Sequence, residues 1–215
     1  MPSIADVLTF WFSEVGRQHW FAPTPDFDQA IRERFGDLAA RAANGELRNW
    51  EGSPEGCVAL CVLLDQMPRN MFRGTPQAYA ADQRAREVAQ RAVDRGFDRG
   101  WPPERKQFLY LPFSHSERLA DQLRAVALFE AAGLDDALVY VRGHLGIIRR
   151  FGRFPHRNVI LGRASTPEEL AFLAQHPDDY GQSAERSDGE ARSIEPHPAD
   201  QGTPARTAAS SRASG

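Results

Sequence analysis

Apolar residues recur at intervals of three and four along most of the first 175 positions, and no stretch sustains period-two alternation, so the pattern predicts helices throughout. Ser3 reads as the N-cap of a first short helix bearing Ile4, Val7, Leu8, Trp11 and Phe12, and a loop through HWFAPTP follows. Residues 26–43 repeat the spacing with Phe27, Ile31, Phe35 and Leu38, and Asn44-Gly45 is the expected stop. Ser53-Pro54-Glu55 combines a cap with proline at the first helical position and leads into CVALCVLLDQM, the most apolar helix and the expected centre of the core. Pro68 should close or kink it, because proline lacks the amide donor and clashes with the preceding turn.

Beyond Thr75-Pro76 the spacing predicts a helical region through Tyr79 and ADQRAREVAQRAVDRG, with Ala81, Ala85, Val88, Ala92 and Val93 inward and Gly96 as its end. Pro102-Pro103-Glu104 opens another through Phe108 and Leu109. Residues 114–132 contain one with Leu119, Leu123, Val126 and Phe129, stopped by Gly133. Residues 135–154 form a long helix on Leu138, Val141, Leu145 and Ile148, terminated by Pro155, with Phe151 and Phe154 anchoring its end. Thr166-Pro167-Glu168-Glu169 begins a last short one ending near Gln175. The expectation is a single all-α domain of helical hairpins over residues 1–175. From 176 to 215 large apolar residues nearly vanish, which predicts a disordered polar tail.

Charge changes this picture in one place. Lys and Arg total 26 against 29 Asp and Glu, so the chain as a whole is not built to neutralise a nucleic-acid backbone. Yet residues 144–163, HLGIIRRFGRFPHRNVILGR, hold five arginines and two histidines without one carboxylate. Their counter-charges are a ligand's phosphate or carboxylate, or acidic side chains elsewhere in the fold. Cys57 and Cys61, four apart in an apolar run, read as small core residues. No run approaches the roughly 20 apolar residues of a membrane span, and the N-terminus lacks a basic region and a cleavage site, so a cytoplasmic location away from membranes is expected.

Three polar clusters stand at helix ends. Asp65, Gln66, Arg69 and Asn70 leave the apolar run; an acid there must be paired if it stays buried. Ser114, His115, Ser116 and Glu117 precede Asp121; either serine could cap a helix, and Glu117 and Asp121 would share a helical face four residues apart. His115 and His144 have the right chemistry for proton transfer near neutral pH, oriented by Glu117 or Asp65. In the third cluster Arg149, Arg153, His156, Arg157 and Asn158 offer guanidinium and amide donors to a planar acceptor. Three histidines plus Glu117 or Asp65 would suffice for a metal, but no HExxH-type spacing occurs and the arginine excess opposes a bare cation, so neither metal nor cofactor is expected. Glycine-rich phosphate loops are absent.

The segments LLDQMPRNMFRGTPQAYAAD, FLYLPFSHSERLADQ and RRFGRFPHRNVILGRASTPEEL together resemble the signature segments of a bacterial family, domain of unknown function 924, over roughly residues 4–175. The resemblance implies a tetratricopeptide-like right-handed superhelical arrangement of hairpins and no activity. Two departures stand out: Ser114 occupies a place where the family commonly has an acid before the histidine, and HPDDYG lacks the usual close. Two functions follow. One is a site for a small anionic ligand, with acid–base catalysis by His115 or His144; the other is a non-catalytic scaffold for a protein or peptide. Convergence of Asp65, Arg69, His115, Glu117, Arg153 and His156 around an accessible cavity discriminates between them.

Overall fold

A computed structural model describes residues 1–20 and 24–176, so the tail expected at 176–215 lies, from 177 onward, outside the described residues. Among the described residues every regular element is helical. Helix α1 (Ile4–Trp11) begins with a capping box, the Ser3 hydroxyl accepting from the Asp6 amide at 3.3 Å and the Asp6 carboxylate accepting from the Ser3 amide at 2.8 Å. A short α2 (Glu14–Gln18), capped by Ser13, precedes the expected loop; its single turn is too brief to show a period. Helix α3 (Pro25–Ala43) buries Phe27, Ile31, Phe35 and Leu38 as its spacing requires.

The apolar run is the centre of the molecule. Helix α4 (Pro54–Cys61), a π-helical turn (Val62–Gln66) and α5 (Met67–Met71) follow one another without a break, and all residues from Cys57 to Pro68 are buried. Pro68 therefore does not end the helix. The wider turn shifts the ladder so that the Met67 amide donates to the Val62 carbonyl, which absorbs the proline's missing donor inside a continuing helix. The region after Thr75 splits in two, a 3-10 turn (Pro76–Tyr79) and α6 (Asp82–Asp94), the latter burying Ala85, Val88, Ala89 and Ala92.

Helix α7 (Pro103–Ser114) runs through Pro112, whose missing amide falls in the last turn. Helix α8 (Leu119–Ala131) overturns the first half of the expected stripe: Leu119 and Leu123 are each 46% exposed, while Asp121, Gln122 and Ala125 face inward together with the expected Phe129. Neither Ser114 nor Ser116 caps it; Ser114 belongs to α7, and Arg118 precedes α8 without a side-chain cap. Helix α9 (Asp135–Phe151) ends on Gly152, with φ of 69°, before Pro155 is reached; a left-handed cap needs no proline to stop a helix. A 3-10 turn (Pro155–Arg157) and α10 (Pro167–Gln175), opened by a Thr166–Glu169 capping box, complete the described chain.

Helix α6 packs on α4 and α7, α7 on α8, and α8 on α9, while α3 lies along α5 and the π turn. One core joins α1 to the first half of α9, and a smaller one gathers Ile147, Ile148, Phe154 and Phe172 where α10 folds back. No described helix is long and apolar enough to cross a membrane. Cys57 and Cys61 are buried free thiols.

Candidate functional site

The π turn brings Asp65 into the interior, where its carboxylate meets His115 at the end of α7: His115 Nδ1 lies 2.8 Å from Oδ1 and 2.9 Å from Oδ2. Single widened turns of this kind inside α-helices are frequent at functional sites. The turn that carries His115 is fixed from three sides. Buried Gln122 of α8 donates to the Ser114 and Ser116 carbonyls, both at 2.7 Å. His144 Nδ1 of α9 lies 3.1 Å from the Ser114 carbonyl, which only accepts, so the proton sits on Nδ1. Arg157 Nη1 donates to the His115 carbonyl at 3.0 Å.

Charges close around this pair. Arg69 donates to both Asp82 oxygens at 2.9 Å, lies 3.3 Å from Asp65 Oδ1 and also donates to the Asp65 carbonyl, while Gln66 donates to Asp65. Arg157 stands 3.6 Å from Asp82 and is sandwiched between the rings of Tyr79 and Phe154, at 4.7 and 4.3 Å. Asp65, Arg69, Asp82, Arg157 and His115 thus form a closed loop of two acids, two guanidinium groups and one imidazole. Burial opposes ionisation of Asp65, but Arg69 and His115 outweigh it and hold the carboxyl well below its usual range. Burial lowers His115, Asp65 opposes that and Arg69 adds to it; the net effect is a histidine neutral at pH 7. His144 is pushed down to about 3 by burial, then by His115 and Arg157, and His156 to about 2 by burial and Arg157. With Nδ1 held by Asp65, the nitrogen of His115 left for chemistry is Nε2.

His115 lies at the edge of a cleft of about 500 Å³ whose walls include Tyr79, Asp82, Arg86, Arg118 and Arg157. At its mouth Arg86 and Arg118 share one acid, Asp121, at 3.4 and 3.8 Å, and Asp121 also accepts from the Ser116 hydroxyl at 2.7 Å. These ion pairs are longer than a charge-assisted hydrogen bond, and two guanidinium groups on one carboxylate leave a surplus positive charge facing the cleft.

Seven residues singled out in the sequence come together here: Asp65, Gln66, Arg69, His115, His144, His156 and Arg157. Others do not. Glu117 borders the cleft, but its oxygens are taken by Arg163, at 2.7 and 2.9 Å, and by the Phe154 amide at 2.8 Å, so it orients no histidine. It also lies outside α8, so it shares no helical face with Asp121. Arg149 is exposed on α9, and Arg150 pairs with Glu168 at 2.9 Å. Arg153 donates to both Glu169 oxygens at 2.7 and 2.8 Å, and buried Asn158 reaches Ser165 at 3.0 Å and Glu169 at 3.3 Å. Asn70 donates to Asp28 at 2.7 Å, beside Arg73. The physical reason is shared: Glu168 and Glu169 of α10 and Asp28 of α3 fold back onto these groups and satisfy them locally. Tyr79, Asp82, Arg86 and Arg118 were not foreseen. Asp82 and Arg86, four apart on α6, lay inside a charged repeat where nothing marked them off from a solvated face. Among the described residues no three or more of His, Cys, Asp and Glu are grouped to hold a metal ion.

A family model described as a bacterial protein of unknown function, DUF924, matches residues 7–177. Among solved structures the fold is similar to that of a protein of unknown function from Agrobacterium tumefaciens, 44% identical, covering 80% of this chain and 97% of that one, with a TM-score of 0.76. No curated protein matches. A family model spanning most of the chain places the Asp65–His115 pair and its cleft within the matched region, and the chain belongs to the DUF924 family of bacterial proteins.

Proposed function

We propose that the cleft over Asp65 and His115 binds a small ligand bearing a carboxylate or phosphate, and that His115 exchanges a proton with it through Nε2. The observation that carries this reading is the imidazole held by Asp65 at 2.8 Å, at the edge of a cleft whose mouth has two guanidinium groups on a single acid. Arg86 and Arg118 take the anion, with Arg157 in the wall behind them. Arg149 and Arg153, directed elsewhere, play no part. Held neutral by burial, His115 serves as the base, and Asp65 positions it and stabilises the imidazolium that forms. Sequential packing of α6 through α9 is compatible with a tetratricopeptide-like superhelix, which we include in the proposal together with a cytoplasmic setting and no cofactor, nucleic acid or membrane.

A thermal-shift screen of phosphorylated and carboxylated metabolites tests it, since a ligand at 100 times its Kd stabilises the fold by about 2.7 kcal/mol. A hit should lose affinity in Arg86→Gln and Arg118→Gln, while His115→Asn should bind it and fail to turn it over. Absence of any hit, or a hit indifferent to both arginine substitutions, sinks the proposal and leaves the charged loop as a structural lock beneath a scaffold.

A further inference from the structure

A second cleft, of about 480 Å³, opens on the other side of α6, against the 3-10 turn Arg48–Gly52. Arg84, Glu87, Arg91 and Arg95 recur at intervals of three and four, and so share one helical side, roughly opposite Asp82 and Arg86. The arginines are pre-set. Arg91 and Arg84 stand 2.7 and 3.6 Å from the Glu51 carboxylate, Arg84 Nε donates to the Ala42 carbonyl at 2.9 Å, and Arg95 donates to the Glu51 carbonyl at 2.8 Å. Gly45 shows where Arg84 and Arg48 approach one another. A Cβ built there would stand 3.4 Å from Arg84 Nη2 and 3.5 Å from Arg48 Nε, so two like charges meet over a residue whose left-handed backbone, φ of 81°, favours the absence of a side chain. The cleft's carboxylates are Glu51, already held by two arginines, and Glu87, which accepts from Gln83 at 3.0 Å.

Four guanidinium groups against two carboxylates leave two positive charges that the fold does not neutralise there. We propose that this cleft is a second anion site, distinct from the one over Asp65 and His115, and that it takes a phosphoryl dianion. A phosphate monoester carries about 1.5 to 2 negative charges at pH 7 and presents several oxygens to fork-shaped donors, which matches the surplus in number and geometry; a single carboxylate supplies half of it.

The test is calorimetric titration of the full chain with inorganic phosphate in an Arg118→Gln background, which disarms the mouth of the first cleft. Saturable binding should persist there. Adding Arg48→Gln and Arg95→Gln, both at exposed positions, should weaken it at least about tenfold, and Glu87→Gln should tighten it by removing a like charge. Helicity by circular dichroism confirms folding, and Glu87→Gln carries the test by itself if the arginine variant unfolds. No saturable phosphate binding in that background, affinity indifferent to Arg48, Arg95 and Glu87, or tighter binding of a linear dicarboxylate than of phosphate would each overturn the assignment.

Discussion

Asp65 and His115, fifty residues apart in sequence, meet at 2.8 Å because a π turn aims one and the end of α7 presents the other. The two partners are unequal in what they hold. Asp65 is fully buried and is, with Asp82, one of the two counter-charges of Arg69, whereas His115 is neutral and at the cleft edge. Asp65→Asn should therefore destabilise the fold by about 3 kcal/mol, the scale of leaving a buried charge under-compensated. His115→Asn should cost about 1 kcal/mol, the scale of one hydrogen bond. Urea denaturation of both variants measures the difference; equal effects would show that Asp65 is not the anchor of the loop.

Acid should act through His144 before it acts through the carboxylates. In the unfolded chain His144 takes a proton near pH 6.5, while in the fold it resists until about 3, because burial, His115 and Arg157 oppose its charge. Between those values the unfolded state binds more protons. The stability is thus complete above about pH 6.5 and falls as pH drops toward 3, by about 2 kcal/mol at pH 5 from this residue alone. His156, lowered to about 2, adds a loss of the same sign over the same range. Asp65 and Glu169, held below their ordinary values, add their losses only as pH falls past those ordinary values, from about pH 5 downward. His144→Asn keeps a donor toward the Ser114 carbonyl and should flatten the profile between pH 7 and 5; an unchanged slope would refute the assignment.

Arg153 should prove structural. Its bidentate bond to Glu169 ties the turn after α9 to the first turn of α10, and Glu169 also completes that helix's capping box. Arg153→Ala is expected to lower the melting temperature, to expose the amides of α10 that follow Pro167 to hydrogen exchange first, and to leave anion binding untouched. Loss of binding without loss of exchange protection would return Arg153 to the site.

Cys57 and Cys61 should be inert. Burial and then Glu51 push the Cys57 thiol up to about 11, and burial raises Cys61 well above its usual value. Neither should react with an aromatic disulfide reagent at pH 8 until the chain is unfolded in urea. Rapid labelling of the native protein would show that the α4 core opens.

Periodicity by itself determined the helical class, most helix starts and the central place of CVALCVLL, because apolar spacing and N-caps are local properties that burial merely completes. It misread α8, where Asp121 and Gln122 turn inward and Leu119 and Leu123 outward: a polar residue is drawn inside when a carbonyl, hydroxyl or guanidinium there needs a partner, and no local rule contains that partner. The basic run of residues 144–163 was legible as a concentration of charge, but not as to where each charge goes. Tertiary structure divided it, sending Arg153 to Glu169 and Arg163 to Glu117 and leaving Arg157 and His144 beside the Asp65–His115 pair. Ion pairs across tens of residues depend on distances of a few ångströms between separate helices, and only the packed fold sets those distances.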